Sequence, residues 1–218
     1  MSQLATAYRS HSPNTVLEER AFIFIDLNDS TSISEQLSPL AYSRLLSTAF
    51  GILEQISENY PFRVYQYVGD EVVLSWKPSS HPEAWNMAIQ LVFEFNIALR
   101  AHHPQFYRAF KIAPVFKSSI HYGRVAKAIV GTSFPNMAYH GEVLNASAKM
   151  LTQAKQHHSA LVISQPIYNR LSLAELPFRF TPIGSLGIGQ SAGGLFIWQV
   201  SLSRRREKFL TKTDYQSI

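Results

Sequence analysis

The sequence predicts an α+β fold: a mostly antiparallel sheet with helices on one face, in the β-α-β-β-α-β order of ferredoxin-like domains, extended by further C-terminal strands. Three observations predict it. The apolar run Ala21–Ile25 stops at Asp26, as a strand covered on both faces or central in a sheet would. Leu45, Leu46, Ala49, Phe50, Leu53 and Ile56 then recur at helical spacing. Two further apolar runs, 62–68 and 71–76, meet at Gly69-Asp70, a tight-hairpin signal.

In chain order, residues 1–19 read as a flexible leader and 20–26 as the first strand. Ser32-x-x-Glu35 has the capping-box pattern, and Asp29 is the alternative cap for that short helix. Ser38-Pro39 opens a longer helix, with Pro at its first position, that runs to about Glu58. Asn59-Tyr60-Pro61 ends it, and the 62–76 hairpin follows with Asp70 at its tip. A helix spans Pro82 to about Ala101. Residues 115–122 and 125–131 read as a second hairpin turning at Gly123-Arg124, and 132–141 as a loop or short strand. A helix over 143–156, a strand Ala160–Ser164 and a short helix after Pro166 come next. Strands near 178–183 and 194–201 close the fold around a glycine-rich loop, Gly184 to Gly194. The domain is therefore expected to cover 20–202, with a basic tail at 203–218.

Bulk chemistry narrows the classes. Of 218 residues 46% are hydrophobic and 16% charged, so the chain can bury a core and is not a disordered polyelectrolyte. The net charge of +5 favours anionic partners weakly. There is no cysteine, which excludes disulfides, thiolate metal sites and cysteine nucleophiles. No apolar run approaches the roughly 20 residues needed to span a bilayer, and no signal-peptide core is visible. A soluble, cytoplasmic protein with no membrane contact is expected.

In this topology the first strand is central, so its end lies beside the 62–76 hairpin tip and Asp26 meets Asp70. Two carboxylates at adjacent strand ends suit hard cations such as Mg²⁺ or Mn²⁺. The Leu27–Ser32 loop adds backbone amides and hydroxyls suited to phosphate. Taken singly, each residue has a plainer reading. Asp70 is a turn former, Asn145 a helix cap or surface residue, Arg124 a turn residue and Lys149 a solvated helix residue. Glu71 is expected to face away from Asp70 by strand alternation. The histidine pairs 102–103 and 157–158 read as helix-end residues.

Four motifs in order change the weighing: Phe24-Ile25-Asp26-Leu27-Asn28-Asp29-Ser30-Thr31, Tyr67-Val68-Gly69-Asp70-Glu71, Ile120-His121-Tyr122-Gly123-Arg124-Val125 and His140-Gly141-Glu142-Val143-Leu144-Asn145. Together, with Asp70 following Asp26 by 44 positions, they resemble the catalytic domains of class III adenylate/guanylate cyclases. The resemblance runs from about 20 to 200. It implies a class III cyclase homology domain that makes a 3′,5′-cyclic nucleotide and pyrophosphate from a nucleoside triphosphate, using two Mg²⁺ or Mn²⁺ ions per site. Asp26 and Asp70 match the metal aspartates, and the Leu27 carbonyl matches a further ligand. Ser30 and Thr31 match the phosphate loop, Arg124 a triphosphate contact of some members, and Asn145 the ribose-positioning asparagine. The family works as dimers whose sites are completed across the interface, so a homodimer is implied.

The chain also departs from the family pattern. Lys149 stands where a transition-state arginine is usual, keeping the charge without the bidentate fork. Gln66 and Ala138 stand at the base-reading positions, where adenylate cyclases carry Lys with Asp or Thr, and guanylate cyclases Glu with Cys. A late lysine for the triphosphate tail is not evident around Gly187-Ile188-Gly189-Gln190. Tyr65, Gln66, Tyr67, Tyr139 and His140 are expected to crowd the base pocket and favour a pyrimidine. That resembles the stand-alone bacterial pyrimidine cyclases of antiphage signalling. Two other readings compete. One is a catalytically silent homologue that binds nucleotide or a partner. The other is a nucleic-acid-binding sheet, disfavoured because the basic residues are scattered.

Overall fold

The computed structural model describes residues 15–173, 176–187 and 194–203. Most of the expected leader and tail, and the middle of the glycine-rich loop, lie outside these residues. The strands are β1 (Val16–Leu27), β2 (Arg63–Val68), β3 (Glu71–Trp76), β4 (Phe116–Val130), β5 (Asn136–His140), β6 (Leu161–Ser164), β7 (Phe178–Leu186) and β8 (Leu195–Leu202). The helices are α1 (Ser30–Gln36), α2 (Pro39–Ser57), α3 (Ala84–Ala101), α4 (His103–Phe110), α5 (Glu142–Gln156) and α6 (Gln165–Tyr168).

The strands form one sheet in the order β2-β3-β1-β4-β6-β8-β7, with β5 added to β4. The β2-β3-β1-β4 half is the expected βαββαβ core with β1 central. Every pair is antiparallel except β4 with β6. Strand alternation sends Ala21, Ile23, Ile25 and Leu27 toward α2 and α3, where they pack with Leu45, Ala49, Leu53, Ala88 and Phe95. Phe22 and Phe24 point the other way and pack with Val73, Val143 and Leu151. Each of these fully buried large side chains contributes about 1.5–3 kcal/mol.

Helices therefore cover both faces of the core sheet, not one. The second face belongs to α5, whose apolar stripe Val143, Ala146, Met150, Leu151 and Ala154 is buried. This is also the face that a sheet-face RNA reader leaves open.

Three further expectations are corrected. β1 begins at Val16, four residues early, because β4 pairs with it over its whole length. No turn occurs at Gly123-Arg124, since β4 runs straight through and Gly123 pairs with Arg20. A Cβ at Gly123 would meet Val143 of α5 at 3.6 Å, an ordinary packing distance. The chain turns later, after Gly131, whose φ of 86° favours glycine. Finally, Ser32 is not a helix cap. Helix α1 starts at Ser30 after Asp29, which is left-handed (φ 56°) and makes no side-chain cap bond; its carboxylate accepts from Asn28 at 2.6 Å. The Ser38-Pro39 start holds, with Ser38 accepting from the Ala41 N–H.

Candidate active site

The end of β1 collects the charged groups. Asp26 is 8% exposed, directly across from Glu71 of β3 and Lys117 of β4. The Leu27 N–H donates to the Asp70 carbonyl at 3.3 Å, which fixes the hairpin tip against the strand end. The Asp70 carboxyl is close enough to raise Asp26's proton affinity through charge and hydrogen bonding. Lys155, near the C-terminal end of α5, forms an ion pair with Asp26 Oδ2. Burial pushes Asp26 up to about 6, against the pull of Lys155 and with a smaller push from Asp70.

Three groups here were not anticipated. Glu71 joins the cluster, and burial, then Asp26 and Asp70, push it up to about 7. Alternation misplaces it because Asp70 belongs to the turn, so Glu71 is the first strand residue and faces the same way as its partner Asp26. Tyr42 of α2 is raised by burial and then by Asp70 and Asp26, which places its phenol by the carboxylates. Lys155 had no signal beyond helical spacing.

The donor set suits a hard cation shared with a substrate. Among the described residues, no group of three or more His, Cys, Asp or Glu side chains forms a metal cage. Mg²⁺ is commonly held by one or two carboxylates plus substrate phosphates, and the Asp26–Asp70 pair offers that. Ser30 and Thr31 open α1 two residues beyond β1.

The remaining candidates lie elsewhere. Arg124 is exposed and sits seven residues along β4 from Lys117, Asp26's cross-strand neighbour, roughly 23 Å away at about 3.3 Å per residue. Asn145 precedes Lys155 by ten helical residues, about 15 Å at 1.5 Å per residue. Lys149, one turn on, donates to the Gly187 carbonyl at 3.1 Å. Arg124 lines an open pocket of about 310 Å³ with His121, Glu142 and Gly194. A single chain thus carries two separated groups: carboxylates at one end of α5, Arg124 and Asn145 toward the other.

Gln66 is exposed on the outer strand β2, and Ala138 is half-buried on β5. The tyrosines expected to crowd the base pocket all make contacts within the chain. Tyr139 is 4% exposed and packs edge-on to Phe22 at 5.6 Å, beneath the Arg20 guanidinium. Its N–H donates to the Tyr65 hydroxyl at 3.0 Å. Tyr67 packs on Phe50 at 5.2 Å and bonds Glu54. All three are committed to this chain's own packing. His102 caps the end of α3, as expected for a helix-end histidine.

The family model described as "Adenylate and Guanylate cyclase catalytic domain" matches residues 14–198, and the chain belongs to that family. Adenylate cyclase 2 of Rhizobium meliloti (strain 1021) is 27% identical over 171 residues, 78% of this chain. The chain spans 46% of that relative's length. The crystal structure of the adenylyl cyclase CyaB from P. aeruginosa superposes with a TM-score of 0.74 at 20% identity, covering 88% of this chain and 98% of that one. The guanylyl cyclase Cya2 superposes at 0.73 and 17%, covering 86% and 94%. No helix among the described residues is long and apolar enough to cross a membrane.

Proposed function

We propose that the chain is a nucleotidyl cyclase acting as a homodimer, which converts a nucleoside triphosphate to the 3′,5′-cyclic monophosphate and pyrophosphate. The observation that carries this is the split of polar groups along α5. Asp26 and Asp70 converge at one end of α5, while Arg124 and Asn145 lie toward the other. A two-fold pairing unites one chain's carboxylates with the other's Asn145.

Asp26, Asp70 and the Leu27 carbonyl would hold two divalent ions together with the triphosphate, and Ser30 and Thr31 would bind its phosphate oxygens. Bound Mg²⁺ or Mn²⁺ supplies Lewis-acid chemistry, favouring the ribose 3′-alkoxide and neutralising phosphate charge. Asn145 of the partner subunit orients the ribose, so that the 3′-oxygen is in line with the α-phosphorus. That bond forms as the bond to the β-phosphate breaks. Lys149 and Arg124 meet the charge growing on pyrophosphate. Lys149 presents a point charge where a fork is usual, and turnover is correspondingly slow.

On base choice we infer a pyrimidine substrate, with a cUMP or cCMP product of the kind used in antiphage signalling. Its support is Gln66 and Ala138 at the base-reading positions. The name of the R. meliloti relative favours adenine instead. A silent homologue has one observation behind it, the tether of Lys149 to Gly187.

Incubation with Mn²⁺ and each of the four ribonucleoside triphosphates, with products identified by mass, decides among these. The expected result is one dominant cyclic pyrimidine nucleotide, lost in Asp26→Ala and Asp70→Ala. A purine product overturns the base assignment, and no product from any substrate supports the silent reading.

A further inference from the structure

The Asp26–Lys155 ion pair joins the aspartate read above as a metal ligand to a cation of the chain itself. Asp26 is nearly buried, and an ionised carboxylate at that depth needs a compensating positive charge. Lys155 supplies it from α5, and its side chain is 37% exposed, so the ammonium has a route back to water. The long flexible stem lets it leave without moving the helix. Lys117, the other cation beside the strand end, has no ion pair among the described residues and is influenced by Asp29. Lys155 is therefore Asp26's own counter-ion.

We propose that Lys155 acts as a built-in stand-in for the metal. It holds the Asp26 carboxylate in place before substrate arrives and yields it to the divalent ion. This rests on the metal reading of Asp26 given above. The consequence is selectivity for the order of loading. A bare divalent ion must compete with, or sit a few ångströms from, a resident ammonium, and the like charges repel. A divalent ion brought by a triphosphate arrives with negative charge that receives the displaced ammonium. Lys155 thus keeps affinity for the free metal low and makes metal binding depend on nucleotide. It is a positioning residue for Asp26, not a catalytic one.

The test reads metal binding directly, by electron paramagnetic resonance titration of Mn²⁺, with and without a non-cyclisable 3′-deoxynucleoside triphosphate. In Lys155→Met, affinity for Mn²⁺ alone rises tenfold or more, while affinity with nucleotide present changes less than threefold. Lys155→Arg, which keeps the charge, stays within threefold of wild type in both. Lys155→Gln serves as a second neutral variant if the methionine variant does not fold. Unchanged or weaker binding of Mn²⁺ alone in the neutral variants overturns the proposal. Asp26→Asn separates the two levels. If it abolishes Mn²⁺ binding while the Lys155 variants do nothing, the metal reading stands and this one falls. If Asp26→Asn leaves Mn²⁺ binding intact, the metal reading itself falls, and this proposal with it.

Discussion

At the scale of single residues, buried titratable groups pull stability in opposite directions with pH. His121 is almost wholly buried, its Nδ1 paired with the Ser164 hydroxyl at 2.8 Å, and burial lowers its pKa to about 4. Its ordinary value is 6.5, so between roughly pH 6.5 and 4 the unfolded chain binds the proton and the folded chain does not. Stability is lost as pH falls through that window, by about 1.4 kcal/mol per unit and about 3 kcal/mol in all. Asp26 and Glu71 act oppositely: their raised values make the folded state the better proton binder, so acidification relieves their burial. The His121 contribution is isolated by difference. Urea midpoints of wild type and His121→Asn, measured at pH 7 and pH 4.5, should converge at the lower pH. A constant gap would mean that the imidazole is not held neutral.

At the scale of elements, α5 is seated by one glycine. A Cβ at Gly141 would come within 2.8 Å of the Arg124 carbonyl, a backbone atom that cannot swing aside. Gly141→Ala must therefore push the helix start away from β4. Overpacking of this kind costs about 1–3 kcal/mol. A shift of about 1 Å at Asn145 is enough to cost on the order of a hundredfold in rate. Urea unfolding together with product yield should show both losses. A rate loss without a stability loss would point to Asn145 alone.

The elements also show what could be read from the chain. β1, the 62–76 hairpin and α2 were legible because each is specified locally, by an apolar run, a glycine turn or a capped helical stripe. The Asp26–Asp70 meeting followed from topology alone. The straight run of β4 through Gly123 was not legible, because glycine commonly marks a turn, and only the pairing with β1, about a hundred residues back in sequence, shows the strand continuing. Glu71 was missed by applying strand alternation to Asp70, which belongs to the turn, and Lys155 because its partner lies far back in sequence on β1.

At the scale of the molecule, the split site makes a prediction that neither end makes alone. Asp26→Ala and Asn145→Ala should each be inactive as homodimers. Mixed and allowed to exchange, half the dimers pair one of each, and each such dimer has one intact site of two, about a quarter of wild-type activity. Activity measured after mixing tests this, and no recovery would place Asn145 and Asp26 in the same subunit's site.

In that dimer α5 belongs to two sites at once. Its Lys155 end touches its own chain's Asp26, and its Asn145 turn serves the substrate held by the other chain. Fifteen residues of hydrogen-bonded helix do not stretch, so an adjustment at one end is delivered to the other. In the proposed dimer, substrate entering one site is expected to alter the second before anything binds there. The two sites of the proposed dimer are expected to be cooperative, with the sign set by whether filling one draws the helix toward the other or away from it.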